Sequence, residues 1–174
     1  TEMGAAANGP LITIGDKLGL YKTLSESKGM SSQQLADAKN TAERYVREWA
    51  SAQAASGYIN YNASSNTFSM TPEQTAVFGN AKSPVFMTGA FYAISSLYFD
   101  ESKIENAFKT GEGVSWGDHN SCLFCGTEKF FSPSYEGNLI GNWLPALDGV
   151  VEKLHHGAKV ADIGCGHEAS TIIM

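Results

Sequence analysis

The run from Ser31 to Met70 constrains the fold more than any other stretch, because its signals change period in a fixed order. Ser31 and Gln34 stand at capping-box spacing and start a short helix over 32–38. Thr41 then reads as the cap of a second helix over 42–56, with Glu43 well placed against the helix dipole. On it Tyr45, Val46, Trp49, Ala52 and Gln53 recur at three and four residues, so one face is expected to be buried. Gly57 supplies the stop. The period next falls to two: residues 58–61 (YINY) and 67–70 (TFSM) alternate on either side of an Asn- and Ser-rich turn, which predicts a hairpin. Upstream, Ile12, Ile14, Leu18, Leu20, Tyr21 and Leu24 make an apolar helical face, weakened at Gly15 and Gly19. Helix, short helix, helix, hairpin is the order of a winged helix-turn-helix.

Residues 71–156 read differently. Thr71-Pro72-Glu73-Gln74 combines an N-cap, a proline at the first helical position and a glutamine at the third, so a helix starts there. Ser83-Pro84 starts another, and 85–99 is apolar nearly all round, which demands burial in a core or an interface. Phe86, Phe91, Tyr92 and Tyr98 on it are candidates to line a pocket. Residues 100–109 and 135–153 are expected to be further helices. The Gly-, Ser- and aromatic-rich stretch 111–133 between them is expected to be a long functional loop. At the end, 158–163 (AKVADI) is a β-run, Gly164-Cys165-Gly166 a tight turn, and 169–174 the first turns of a helix. No repeat or low-complexity tract interrupts this order.

Bulk properties exclude several classes. A net charge of −6 disfavours sequence-independent nucleic-acid binding. Three cysteines, Cys122, Cys125 and Cys165, do not make a disulfide scaffold and fit a reducing compartment, so a cytoplasmic protein is expected. The start of the chain has no signal-peptide pattern, and the apolar stretch around 90–97 is too short and too polar to span a bilayer. The sequon at Asn62-Ala63-Ser64 is accordingly read as chance. Cys122 and Cys125 are read as ordinary thiols, since no second pair completes a zinc site. His155 and His156, adjacent on a helix, point in different directions and are not read as metal ligands.

Four stretches together resemble a known family. Residues 41–49 (TAERYVREW), 116–119 (WGDH), 143–153 (WLPALDGVVEK) and 160–167 (VADIGCGH) are similar to a bacterial group of class I S-adenosylmethionine-dependent methyltransferases with an N-terminal winged-helix domain. The resemblance covers about residues 12–174. It implies three parts: a dimerisation-like winged helix over 1–80, a helical linker or cap over 81–156, and the start of a Rossmann-like cofactor domain from 157. The fold class expected is therefore mainly α with a small hairpin, ending in the first strand and turn of an α/β methyltransferase domain. In such enzymes this loop holds the methionine end of S-adenosylmethionine. The resemblance carries that role onto Asp162, Gly164, Cys165 and Gly166, with Asp162 orienting the cofactor directly or through water. Glycine lets backbone approach a ligand closely, and a following helix N-terminus suits a carboxylate. Glu168 stands where the loop's third glycine usually falls; that glycine chiefly serves helix–strand packing. The acidic residue that grips the ribose would lie about 20 residues on, past Met174. The chain is thus expected to be an N-terminal portion without activity of its own.

The partners expected are a small-molecule methyl acceptor and a second copy of the chain, paired through the helical N-terminal region. No catalytic residue is assigned: His119 belongs to a linker segment, and methyl transfer to small molecules needs mainly proximity and orientation. On pattern alone a nicotinamide-binding loop competes for Gly164 to Gly166. Two other readings stay open. One is a DNA-binding regulator, with Arg44 and Arg47 on a recognition helix offset by Glu43 and Glu48. The other is a structural dimerisation module built on the apolar 85–99 helix.

Overall fold

A computed structural model describes residues 2–174. The chain is mostly helical, with one two-stranded antiparallel sheet. Helix α1 (Glu2–Lys17) starts well before the apolar pattern does, and it accommodates Pro10. It ends at Leu18-Gly19, where Gly19 takes a φ of 69°, and α2 (Leu20–Ser25) follows. The weakness read at Gly15 has a packing cause: a Cβ there would stand 2.4 Å from the Trp49 ring.

Helix α3 (Ser32–Lys39) opens with both halves of its capping box in place. The Gln34 amide donates to Ser31 Oγ at 3.2 Å, and the Ser31 amide donates to Gln34 Oε1 at 2.9 Å. Thr41 does not cap the next helix. Its amide and hydroxyl both donate to the Ala36 carbonyl, at 2.9 and 3.3 Å. That closes the end of α3 behind Asn40, which has a φ of 50°. Helix α4 (Glu43–Ala55) therefore starts from Ala42 without a side-chain cap.

Strands β1 (Asn60–Asn62) and β2 (Thr67–Ser69) pair with Tyr61 opposite Phe68, and Met30 adds a bridge to Phe68. The turn is held by Asn62 Oδ1, which accepts the amides of Ser64 and Ser65. Between the helices and the hairpin lies one closed core that includes Ile12, Leu20, Tyr21, Leu24, Leu35, Val46, Trp49, Ile59, Phe68 and Phe78. Its buried polar groups are satisfied. Tyr21 donates to Gln53 at 2.5 Å, Gln53 donates to Asn8 at 2.8 Å, and the Trp49 indole donates to the Leu11 carbonyl at 2.9 Å. Tyr45, expected on the buried face of α4, is instead exposed.

Helix α5 (Pro72–Gln74) opens with its capping box and runs on as a π turn, Thr75–Gly79. Ser83-Pro84 makes a turn rather than a helix start, and α6 (Thr88–Phe99) begins four residues after the expected Pro84. Helix α7 (Glu101–Thr110) follows. The expected long loop over 111–133 is largely helix. After a 3-10 turn, Trp116–Asp118, Asn120 caps α8 (Ser121–Asn138), accepting the Cys122 amide at 3.0 Å. The glycines that suggested a loop serve close helix packing. A Cβ at Gly89 of α6 would come 2.4 Å from the Phe130 amide nitrogen, and one at Gly126 of α8 would come 2.4 Å from that of Ala93. α6 thus buries its small face, Thr88, Gly89 and Ser96, while Ile94, Leu97 and Tyr98 are exposed. Asp16 of α1 joins this pair to the winged helix: the Tyr92 hydroxyl donates to it at 2.7 Å and Lys129 forms an ion pair with it. Burial, and then that bond to Asp16, push the Tyr92 hydroxyl upward.

The expected helix over 135–153 is broken into a π segment (Leu139–Trp143), a turn, and α9 (Val150–His155) entered through Gly149 at a φ of 72°. The run 158–163 is not a strand. Among the described residues the only sheet is β1–β2, and a parallel strand forms only against a neighbour that supplies its ladder. The short α10 (Ala169–Ile173) ends the fold.

Candidate functional site

Residues 160–168 form a turn whose shape is set by three left-handed residues. Gly164 and Gly166 have φ values of 79° and 56°, and Glu168 has 64°. Position 168 is thus one whose backbone favours glycine, occupied here by glutamate. The Glu168 amide donates to the Cys165 carbonyl at 2.8 Å and closes the turn. Asp162 points back into α10: the hydroxyls of Thr171 and Ser170 donate to its carboxylate at 2.7 and 2.8 Å. Those two bonds hold its carboxyl below the usual carboxylate range. No atom lies within 4 Å of where a Cβ would sit at Gly164 or Gly166, so the backbone there is open to approach.

That turn faces α8 across a cavity of ≈ 290 Å³. Gly164, Cys165, Gly166 and His167 line one side; Trp116, Phe124, Phe131 and Tyr135 line the other. Trp116 meets Phe124 edge-on at 5.2 Å, and Phe131 stacks on Tyr135 at 6.2 Å. Three of the four sequence-assigned residues, Gly164, Cys165 and Gly166, therefore share one wall, while Asp162 braces the turn from behind.

The Trp116 turn is pinned from below. Asp100, buried at the end of α6, accepts from Lys103 Nζ at 2.8 Å and from the Asn120 amide at 2.8 Å, with His119 Nδ1 at 3.1 Å. Lys103 first, then the Asn120 amide and His119, pull the Asp100 carboxyl down to about 2 against the cost of burial. His119 is thereby committed to holding its own segment.

Sequence reasoning missed the α8 wall, Phe124, Thr127, Glu128, Phe131 and Tyr135, because 111–133 read as loop. The signal was present: Asn120 is an N-cap, and 127, 131 and 135 recur every four residues. Phe86 and Tyr92, candidates from the apolar helix, do not line this cavity.

A larger groove of ≈ 830 Å³ runs between α4 and the hairpin, bordered by Ser32, Glu43, Arg47 and Tyr61. Its charges are already matched: Arg47 lies 3.8 Å from Glu43, Arg44 lies 3.2 Å from Glu48, and Ser32 donates to Glu43 at 2.6 Å. The hairpin turn carries no Lys or Arg. Among the described residues no cluster of three or more His, Cys, Asp or Glu gathers as a metal site, and no helix is long and apolar enough to cross a membrane.

Comparison with known proteins follows the same division. Residues 6–79, somewhat under half of the chain, match the family described as the Rv2258c-like winged HTH domain. No curated protein matches the sequence. Twelve chains of known structure match its fold. Among them, PigF with SAH superposes over 99% of this chain with a TM-score of 0.63 at 15% sequence identity. The chain spans 52% of the PigF chain, about half its length. The fold is thus a winged helix-turn-helix followed by a helical extension of the kind found in PigF.

Proposed function

We propose that this chain is the winged-helix arm, helical cap and first cofactor loop of an S-adenosylmethionine-dependent methyltransferase acting on a small molecule. The observation that carries the reading is the ≈ 290 Å³ cavity, which sets the glycine turn against four aromatic side chains. Its volume sits at the lower edge of the roughly 300–1,000 Å³ common for small-molecule sites. The likeness to PigF supports the reading, since SAH is what S-adenosylmethionine becomes once its methyl group has left.

The residues present fit the amino-acid end of such a cofactor. Gly164, Cys165 and Gly166 offer backbone that a ligand can approach without meeting a side chain at either glycine. Asp162, through Ser170 and Thr171, fixes the turn relative to α10. Trp116, Phe124 and Tyr135 line the opposite wall, and aromatic rings there suit a cation such as a sulfonium. When bound, S-adenosylmethionine supplies a methyl carbon activated by that sulfonium; the cap's part is to orient and to exclude water. Calorimetric titration of the full-length protein with S-adenosylhomocysteine tests this. Saturable binding is expected, and no heat at millimolar ligand would sink it. The ion pairs on α4 weigh against the DNA-binding alternative, because both arginines face carboxylates of the same helix.

A further inference from the structure

We propose that Glu128 of α8 is a positioning residue for the glycine turn: through His167 it clasps that turn to the cap and keeps the cavity preformed. The inference rests on reading the cavity as the cofactor site. Glu128 Oε2 and His167 Nδ1 lie 2.7 Å apart, though 39 residues separate them in sequence. Both line the cavity, from opposite walls. Among the described residues this is the one side-chain hydrogen bond that joins 158–174 to the rest of the molecule. The others made by that segment, at Asp162 and Cys165, stay within it. Phe124 adds an aromatic contact to the His167 ring at 6.5 Å.

A turn held by its own short bonds keeps its shape, but nothing in those bonds fixes where it sits; the clasp does, together with the packing of α10 on α8. Its two side chains are 46% and 41% exposed, so its contribution is modest and it opens on small changes in charge. Histidine changes charge between about pH 5 and 8, and the charged ring makes the stronger bond to a carboxylate. The titratable groups that line the cavity with His167 are Glu128 and Tyr135 of α8 and Cys165 of its own turn; Glu168 follows it in sequence, and Asp162 is engaged by Ser170 and Thr171. Lys129 is engaged by Asp16 and His119 by Asp100, while α10 and the π segment carry no titratable side chain. The anionic partner that distinguishes charged from neutral His167 is therefore Glu128, with Glu168 next to it in sequence.

The test uses Glu128→Ala, Glu128→Gln and the unaltered protein, with two readouts. Hydrogen exchange over 163–172 reports the turn directly, through the Glu168 and Ile172 amides. At pH 6, Glu128→Ala should speed that exchange by about two- to fivefold, the range of a partly exposed ion pair, with exchange over 6–79 unchanged. Calorimetry with S-adenosylhomocysteine at pH 6 and pH 8 reports the cavity. Affinity should fall about two- to fivefold from pH 6 to pH 8 in the unaltered protein and stay flat in Glu128→Gln, which keeps a hydrogen bond but not the charge. Unchanged exchange in Glu128→Ala overturns the clasp, as does a Glu128→Gln variant that keeps the pH slope. If exchange rises while no variant binds S-adenosylhomocysteine, the clasp stands and the cofactor reading falls.

Discussion

The two ends of this chain are built on opposite terms. From residue 8 to residue 78 the winged helix closes a core around Trp49 and Tyr21, and its buried polar side chains all find partners. After Pro133 no residue is buried, and Ile140, Trp143, Leu147, Val160, Ile163 and Ile172 are substantially exposed. Yet the second region is not shapeless: it has hydrogen-bonded turns, a braced aspartate and an ordered ring pair. Local hydrogen bonds are enough to set a turn, whereas a strand needs a partner that residues 158–163 do not find among their described neighbours.

Two tryptophans give the widest test of that difference. Trp49 is 4% exposed, meets Tyr21 edge-on at 5.0 Å and donates its indole N–H to Leu11. Trp49→Ala should cost about 3–5 kcal/mol, most of a small domain's stability. Trp143 meets Tyr135 edge-on at 6.0 Å but is 44% exposed. Trp143→Ala should move stability by about 0.5 kcal/mol or less. Urea denaturation followed by far-UV circular dichroism decides it; comparable losses for the two would erase the contrast.

Gly126→Ala probes the α6–α8 packing that lies between the regions. Its new methyl would meet the backbone of Ala93, which cannot swing aside as a flexible side chain would. A loss of about 1–3 kcal/mol is expected, at the upper end because α6 and α8 must separate, with weaker S-adenosylhomocysteine binding as the α8 wall shifts. A neutral Gly126→Ala would mean that the two helices pack more loosely than their glycines imply.

Gly126 also marks where the sequence was hard to read. Periodicity exposed the winged helix because its signal is complete within each element: Val46 and Trp49 repeat at helical spacing, and Phe68 alternates in a hairpin. Capping boxes at Ser31 and Thr71 were legible for the same reason, being complete within four residues. Helix α8 was not, since glycine serves both loops and close helix packing, and only the partner Gly89, 37 positions away, tells which applies. Gly164 to Gly166 stood out by motif, but the Phe124 to Tyr135 wall opposite them depends on that missed helix.

Asp100 offers a smaller lever with a defined sign. Its carboxyl sits at about 2 in the fold, against 3.8 when unrestrained. A lowered folded value means that its contribution is fully present above about pH 4 and is lost as the pH falls through about 2. Thermal melts of Asp100→Asn and the unaltered protein should therefore differ at pH 7 and converge toward pH 2. A gap that persists undiminished at low pH would assign the loss to packing instead of to the bonds with Lys103, Asn120 and His119.

Glu168→Gly should have the smallest effect on global stability and the most specific consequence. At a φ of 64° a side chain carries a steric cost of roughly 1–2 kcal/mol, which glycine removes. Glycine also has more freedom to lose on folding, roughly 0.5–1 kcal/mol, so the net gain is a few tenths. Because no residue of 158–174 is fully buried, that gain should remain local: slower exchange at the Glu168 and Ile172 positions, with the melting temperature unmoved. A melting temperature raised by about a degree, the shift that a few tenths of a kcal/mol gives in a chain of this size, would show that the turn unfolds together with the Trp49 core. The two ends would then form one cooperative unit, and the exposed side chains beyond Pro133 would have to be explained within it.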